Sequence, residues 1–374
     1  MRIASVEAIP LAYPEANDHG RTRYVCLVKL TSDEGVVGWG ESVPYFPEAA
    51  RAVAVLVEGL RDLVVGRDPV QSETIWRALR DHTWWYGNAG VASMAISAID
   101  IAVWDLKGKA LGARVLDLLG GPVKERLPAI ASGHATKPTI EELAEEAAEW
   151  LSTGLQGIKV GFGKRGEARL GYEHERDVAY MRAVREAIGP GKAIMIDLGV
   201  ALTWDVTEAV ERVCAFEAHD LYWIEEPLGH WDPEGYRTLR AKTTTRIAYG
   251  EREWTGEGIE RVLRTGACDV VGIDPGRAEG ITGFRHAVER VEAAQAQANA
   301  HAWSTAIVTA ASLAISWSTP VCRQFEVKPV RDVAQYELAS APLVHEDGWM
   351  PQPQGPGLGV EIVEEAVERY RLDR

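Results

Sequence analysis

From Leu127 onward the chain repeats one pattern, a short apolar or small-residue run followed by a helical stretch, and this constrains the fold more than any other feature. Candidate strands are Ala129–Ser132, Gly157–Gly161, Ala193–Asp197, Leu221–Glu225, Ile247–Glu251, Val270–Asp274, Ala298–His301 and Arg323–Glu326. Helical patterning fills the intervals, as at Glu141–Ser152, Asp177–Ile188, Thr207–Ala218, Gly258–Thr265 and Thr282–Gln295. Strands that alternate with helices pair in parallel through crossovers, and eight such units favour a closed α/β barrel over an open sheet.

Residues 1–125 read differently. Strand-like alternation at Arg2–Leu11, Arg23–Leu30 and Val36–Glu41 precedes helical patterning from Glu48 to Leu119, which makes an α+β block. Segments near 15–25 and 43–48, marked by Asn17-Asp18-His19-Gly20, Pro44 and Pro47, read as loops and are candidate lids. Trp84, Trp85 and Tyr86 are expected in the core of this block, as large aromatics usually are, with a lid lining as the other option. The barrel region spans 126–344. The tail, 345–374, carries Gly355-Pro356-Gly357-Leu358-Gly359 and a short helical pattern, comes too late for another barrel unit, and is expected to return to the first block.

Composition narrows the partners. A formal net charge of −15 with no dense Lys/Arg run argues against nucleic acid and anionic membranes, so an anionic ligand needs a local cation. The 4 cysteines lie far apart without a CxxC pair, which excludes a zinc knuckle or disulfide framework and fits a reducing cytoplasm. Met1–Pro10 alternates like a strand rather than a leader peptide, and no later run reaches the length of a membrane span.

Three consecutive predicted strands end in carboxylates, Asp197, Glu225 and Glu251, at spacings of 28 and 26 residues, each one βα unit. A barrel brings such strand ends together on its C-terminal face. One acid at a strand end is commonly only a helix cap, but three in register repel one another and call for a cation. An all-oxygen set of this size suits Mg²⁺. Asp274 and His301 end the next two strands, 27 residues apart, so the carboxylate can orient the imidazole as a general base. Lys159, amid apolar and glycine neighbours, is a candidate to hold a substrate carboxylate or, with a depressed pKa, to act as a base. Glu326 on the last strand is a candidate hydrogen-bond donor if kept protonated.

The segments Ala95-Ile96-Ser97-Ala98-Ile99-Asp100-Ile101-Ala102-Val103-Trp104-Asp105-Leu106-Lys107-Gly108-Lys109, Leu118-Leu119-Gly120-Gly121, Ile224-Glu225-Glu226-Pro227, Gly250-Glu251 and His301-Ala302-Trp303, with the glycine-rich tail, together resemble the enolase superfamily in its mandelate racemase/muconate lactonizing enzyme branch. The resemblance implies an α+β cap over a modified (β/α)₇β barrel. It also implies Mg²⁺ on Asp197, Glu225 and Glu251, a His301–Asp274 dyad, Glu326 as the last-strand acid, and a homo-oligomer acting on a small hydroxy-carboxylate. Arg23, Tyr45, Lys159 and Trp303 are the candidate substrate-binding residues. Two departures stand out. The family often carries Lys-x-Lys on the second barrel strand, where this chain has Lys159-Val160-Gly161, and Gly199 stands where Asn is common. With His301 as the single base, the expected reaction is dehydration of a sugar acid to a 2-keto-3-deoxy acid. A racemase, epimerase or lactone cycloisomerase is the alternative if Lys164 or another group supplies a second base, and a non-catalytic sugar-acid binder is the remote third reading.

Overall fold

The computed structural model describes residues 1–199 and 202–372. An antiparallel sheet opens the chain, with β1 (Ile3–Glu15), β2 (Arg21–Ser32) and β3 (Val37–Ser42) side by side in that order. As an edge strand β1 tolerates Pro10 and Pro14, which cannot donate to a second neighbour, and so it runs on to Glu15 instead of ending at Leu11. Of the expected lid at 15–25, only Ala16–Gly20 lies outside the strands; Arg23 sits on β2, opposite Tyr13.

Helices α1 (Pro47–Leu60), α2 (Ser72–Thr83) and α3 (Val91–Leu111) cover this sheet. Trp84, Trp85 and Tyr86 do not enter the core: they form a short turn beyond the last residue of α2 and are 63%, 81% and 52% exposed. The amphipathic face of α2 ends with Thr83, so nothing directs these rings inward.

The central element is α3, apolar on nearly every side and buried along most of its length. It lies directly on the backbone of β3, because a Cβ on Gly40 would fall 1.9 Å from the carbonyl oxygen of Ala98. Its two aspartates tie three parts of the chain together. Asp105 accepts hydrogen bonds from the backbone N–H groups of Trp39 (2.9 Å) and Leu358 (2.9 Å) and from Lys109 Nζ (2.6 Å). Asp100 accepts from Thr282 N (2.9 Å) and Oγ1 (2.7 Å) on a barrel helix, and Trp104 Nε1 donates to the same hydroxyl.

The second sheet is an eight-stranded parallel barrel: β4 (Ala129–His134), β5 (Gly157–Phe162), β6 (Ala193–Leu198), β7 (Leu221–Glu225), β8 (Arg246–Tyr249), β9 (Val270–Ile273), β10 (Gln297–Ala300) and β11 (Phe325–Val327). A helix follows each strand from β4 to β10. β11 pairs with β4, and a bridge from Ala298 to Cys322 nearly closes the circle. Ile130, Met195, Trp223, Ala248 and Val270 pack against one another as a small apolar cluster made of barrel-strand residues. β8, β9 and β10 are shorter than their patterning suggests, so Glu251, Asp274 and His301 lie just past the ladder rather than within it. The tail returns to the first block, where Arg371 bridges Leu11. No helix among the described residues is long and apolar enough to cross a membrane.

Because Asp105 is 1% exposed and serves three donors, Asp105→Ala leaves two buried N–H groups and an ammonium without their acceptor. Urea unfolding is expected to show a loss of about 3 kcal/mol or more; a loss under about 1 kcal/mol would remove Asp105 from this role.

Candidate active site

Side chains alternate along a strand, so residues two apart share a face. Met195 and Trp223 belong to the small apolar cluster, and Asp197 and Glu225, two residues on, therefore share their side of the barrel strands. Strand register sets His134, Gly161, Asp197 and Glu225 side by side on β4 to β7. One level below, Lys159 pairs with Ser132 and Met195 and reaches up to Glu225 Oε2 (2.7 Å) and Glu326 Oε1 (2.8 Å).

Each acid of this mouth meets a cation. Lys164 Nζ stands 3.5 Å from Asp197, and Arg252 and Arg277 each approach Glu251 to 4.0 Å. Desolvation would raise the Asp197 carboxyl, but Lys164 and Lys159 hold it down to about 2. Glu225 goes the other way: burial pushes it well above the carboxylate range and, against the pull of Lys159, so do Asp197, Glu326 and Glu251. Among the described residues no three His, Cys, Asp or Glu side chains are already drawn into a cation cage. The donor set nevertheless fits one, since Asp197, Glu225 and Glu251 offer only hard oxygens and repel one another until a positive charge joins them.

Two sequence expectations change here. Lys159 is not shifted down: burial alone would lower it, but Glu225, Glu326 and Asp197 raise it well above its ordinary value, which favours its ammonium form. The neighbours of Glu326 favour its ionised form over a protonated donor. Desolvation is outweighed by Lys159 and His301, which hold its carboxyl below its ordinary value, and it accepts from Lys159 and Asn299 Nδ2.

His301 and Asp274 do come together, Nδ1 to Oδ2 at 2.7 Å. Asp274 is fixed by the N–H of Gly276 (2.7 Å) and by Arg277 Nε (3.5 Å), and Ser312 Oγ donates to the His301 carbonyl. Against desolvation, Arg277 and His301 keep Asp274 ionised below its ordinary range. With Nδ1 engaged, Nε2 is the nitrogen left for proton transfer.

The glycines at 161 and 199 have a joint structural meaning. A Cβ at Gly161 would fall 2.5 Å from Lys164 Cε, and one at Gly199 would fall 2.6 Å from Lys164 Nζ. The side chain of Lys164 thus occupies the space both positions leave, and a loop cation reaches Asp197 where the strand carries none.

Beyond His134 lies an aromatic group. Arg23 Cζ sits over the rings of Tyr45 (4.3 Å to the centroid) and Trp303 (5.2 Å), and the Trp303 ring lies 5.2 Å from that of His134. The candidate binding residues Arg23, Tyr45 and Trp303 are therefore neighbours. Lys159 stands apart from them, among the acids. His134 was missed because the expected strand stopped at Ser132, two residues short; Arg277 carried no periodic signal, whereas Asn299, two residues before His301 on the expected strand, shared its face and could have been found.

Comparison with known proteins decides the family. Residues 142–366 match the profile of the enolase C-terminal domain-like family, and residues 10–120 match the mandelate racemase/muconate lactonizing enzyme N-terminal domain. This chain belongs to the enolase superfamily. Among its superfamily relatives, a D-galactarolactone cycloisomerase from Agrobacterium fabrum is 32% identical over 92% of this chain and 91% of its own length. A D-galactonate dehydratase from Ralstonia nicotianae is 31% identical over 92% and 91%. The crystal structure of the 3,6-anhydro-D-galactonate cycloisomerase from Zobellia galactanivorans superposes with a TM-score of 0.88 at 30% identity, covering 99% of each chain. Superfamily membership implies a divalent metal.

Thermal unfolding with increasing Mg²⁺ tests the donor set. The wild-type midpoint is expected to rise with Mg²⁺, as binding to the native state requires, and Asp197→Asn or Glu251→Gln to abolish the rise. An undiminished rise in both variants would place the metal elsewhere.

Proposed function

We propose that this chain is a Mg²⁺-dependent acid-sugar dehydratase, which removes the proton α to a carboxylate and expels the β-hydroxyl to give a 2-keto-3-deoxy acid. The observation that carries this reading is the His301–Asp274 pair at 2.7 Å beside a mouth of acids in which Lys159 bridges Glu225 (2.7 Å) and Glu326 (2.8 Å). Relatives named as D-galactonate and D-gluconate dehydratases support the substrate class. Bound at Asp197, Glu225 and Glu251, Mg²⁺ would supply positive charge to the substrate carboxylate.

In this reading His301 Nε2 takes the α-proton, with Asp274 setting the tautomer and stabilising the imidazolium. Lys159, held by Glu225 and Glu326, meets the negative charge that develops on the carboxylate oxygens. The protonated imidazole then gives its proton to the departing hydroxyl, which leaves as water, and the resulting enol tautomerises to the 2-keto-3-deoxy acid. Glu326 orients Lys159 as an acceptor. A homo-oligomer acting in the cytoplasm belongs to the same proposal.

A second reading is favoured by one observation, the placement of Lys164 at Asp197 through the space of Gly161 and Gly199. This puts a lysine where a second base would stand, which an epimerase or lactone cycloisomerase requires, and two relatives are named as cycloisomerases.

The test is α-hydrogen exchange in D₂O with Mg²⁺ and a panel of sugar acids. His301→Asn is expected to slow exchange and turnover by roughly 10²- to 10⁴-fold; exchange at the wild-type rate would transfer the base role to another residue. Wild-type enzyme that exchanges both α-epimers equally, and loses one of them in Lys164→Ala, would replace the dehydratase reading with the isomerase.

A further inference from the structure

We infer that Arg23 anchors a second carboxylate of the substrate, so that the acid sugar taken here is a dicarboxylic one, open-chain or lactonised. The inference rests on the proposed site only for the position of the reacting end.

Arg23 is 4% exposed. Among the described residues no carboxylate lies within 4.0 Å of its guanidinium, and none of its N–H groups donates a hydrogen bond to the protein. The equally buried Arg212, also 4% exposed, shows the ordinary arrangement: it is paired with Asp177 and, at 2.8 Å, with Glu208. A buried cation without an anion is costly, and such groups are held for a partner. The rings of Tyr45 and Trp303 offset part of that cost, but an aromatic face offers no acceptor to a guanidinium fork.

The surroundings repeat the deficit. Among the described residues, Trp303 Nε1 and His134 Nδ1 are enclosed polar atoms without a hydrogen-bond partner. Burial, then the charges of Lys164, His19 and Arg23, lower the His134 imidazole to about 3 against the pull of Asp197, so the cations of this region bear on one neutral ring. One acid, Asp18, borders this group: it accepts from Tyr45 Oη (3.4 Å), His134 Nδ1 approaches it to 3.6 Å and Arg21 to 3.9 Å, but it makes no ion pair with Arg23 among the described residues. In a chain of net charge −15, an unpaired cation beside an unpaired indole N–H is a local site for an anion. A planar guanidinium fork matches a planar carboxylate.

The position suits one substrate with two ends. His301 and Trp303 leave the same turn after β10, and contacts run without a gap from Arg23 through Trp303 and His134 to Gly161, the neighbour of Asp197 in the sheet. In the inferred pose the α-carbon lies at His301 and the far end of the carbon chain turns toward the Arg23–Trp303 side.

The test compares matched aldaric and aldonic acids, galactarate with galactonate and glucarate with gluconate, on the Mg²⁺-loaded protein. For the preferred pair the diacid-to-monoacid ratio of kcat/KM is expected to exceed tenfold. It is expected to fall by roughly 10- to 10²-fold in Arg23→Met, which keeps an apolar stem against Tyr45 and Trp303. Arg23→Lys, which retains charge without the fork, recovers part of the ratio and serves if the methionine variant does not fold. A wild-type preference for the monoacids, or a ratio unchanged in either folded variant, overturns the inference while leaving the dehydratase reading intact. Calorimetric titration with the same acids separates the converse case. If no acid exchanges its α-hydrogen, the reaction reading falls, whereas tighter binding of the diacid that disappears in Arg23→Met still upholds the anchor.

Discussion

Like charge in a confined space is the condition around which this protein is arranged. Asp197, Glu225, Glu251 and Glu326 all belong to one barrel mouth: Asp197, Glu326 and Glu251 raise Glu225, and Asp197 raises Glu251. Such a group is stable only with cations placed to match it, and the chain supplies them from different depths: Lys159 from within the strand, Lys164 from a loop, and Arg252 and Arg277 from beyond β8 and β9. The residual repulsion is what makes the donor set receptive to a hard divalent ion. The same acids favour the charged form of Lys159.

The cap must be held over this mouth with its few cavity-facing residues in fixed places, and α3 does so. Asp105 joins the first sheet to the C-terminal tail, and Asp100 with Trp104 joins the same helix to a barrel helix at Thr282. The long apolar motif that first suggested the family is therefore a mechanical part: its aspartates are buried acceptors for three separate segments. Arg23 on β2 and Tyr45 beyond β3 inherit their positions from that joint.

The barrel and its carboxylates were legible because period and spacing are local properties of the chain. Asp197, Glu225, Glu251, Asp274 and His301 each close a strand-like run, and the interval of one βα unit is visible without coordinates. What escaped depends on packing. The edge position of β1, which lets two prolines remain in a strand, cannot be read from β1 alone. The exposure of Trp84 to Tyr86 follows from where α2 stops. The charge states of Lys159 and Glu326 follow from which neighbours are near, and His134 was lost to a strand boundary set two residues short. Gly161 read as a missing lysine, and only the structure reveals the side chain that takes its space.

That exchange alters how the site can change over time. A lysine borne by a barrel strand is bound into the ladder, and its replacement disturbs packing on both sides. Lys164 instead follows Gly163, whose φ of +67° marks a turn, and it needs from the scaffold only two missing methyl groups. The second cation has become a detachable fitting. Its length, its sign or its presence can change with the loop while Asp197, Glu225, Glu251 and the His301–Asp274 pair stay as they are, so the charge beside Asp197 can be reset without touching the strands that carry the acids.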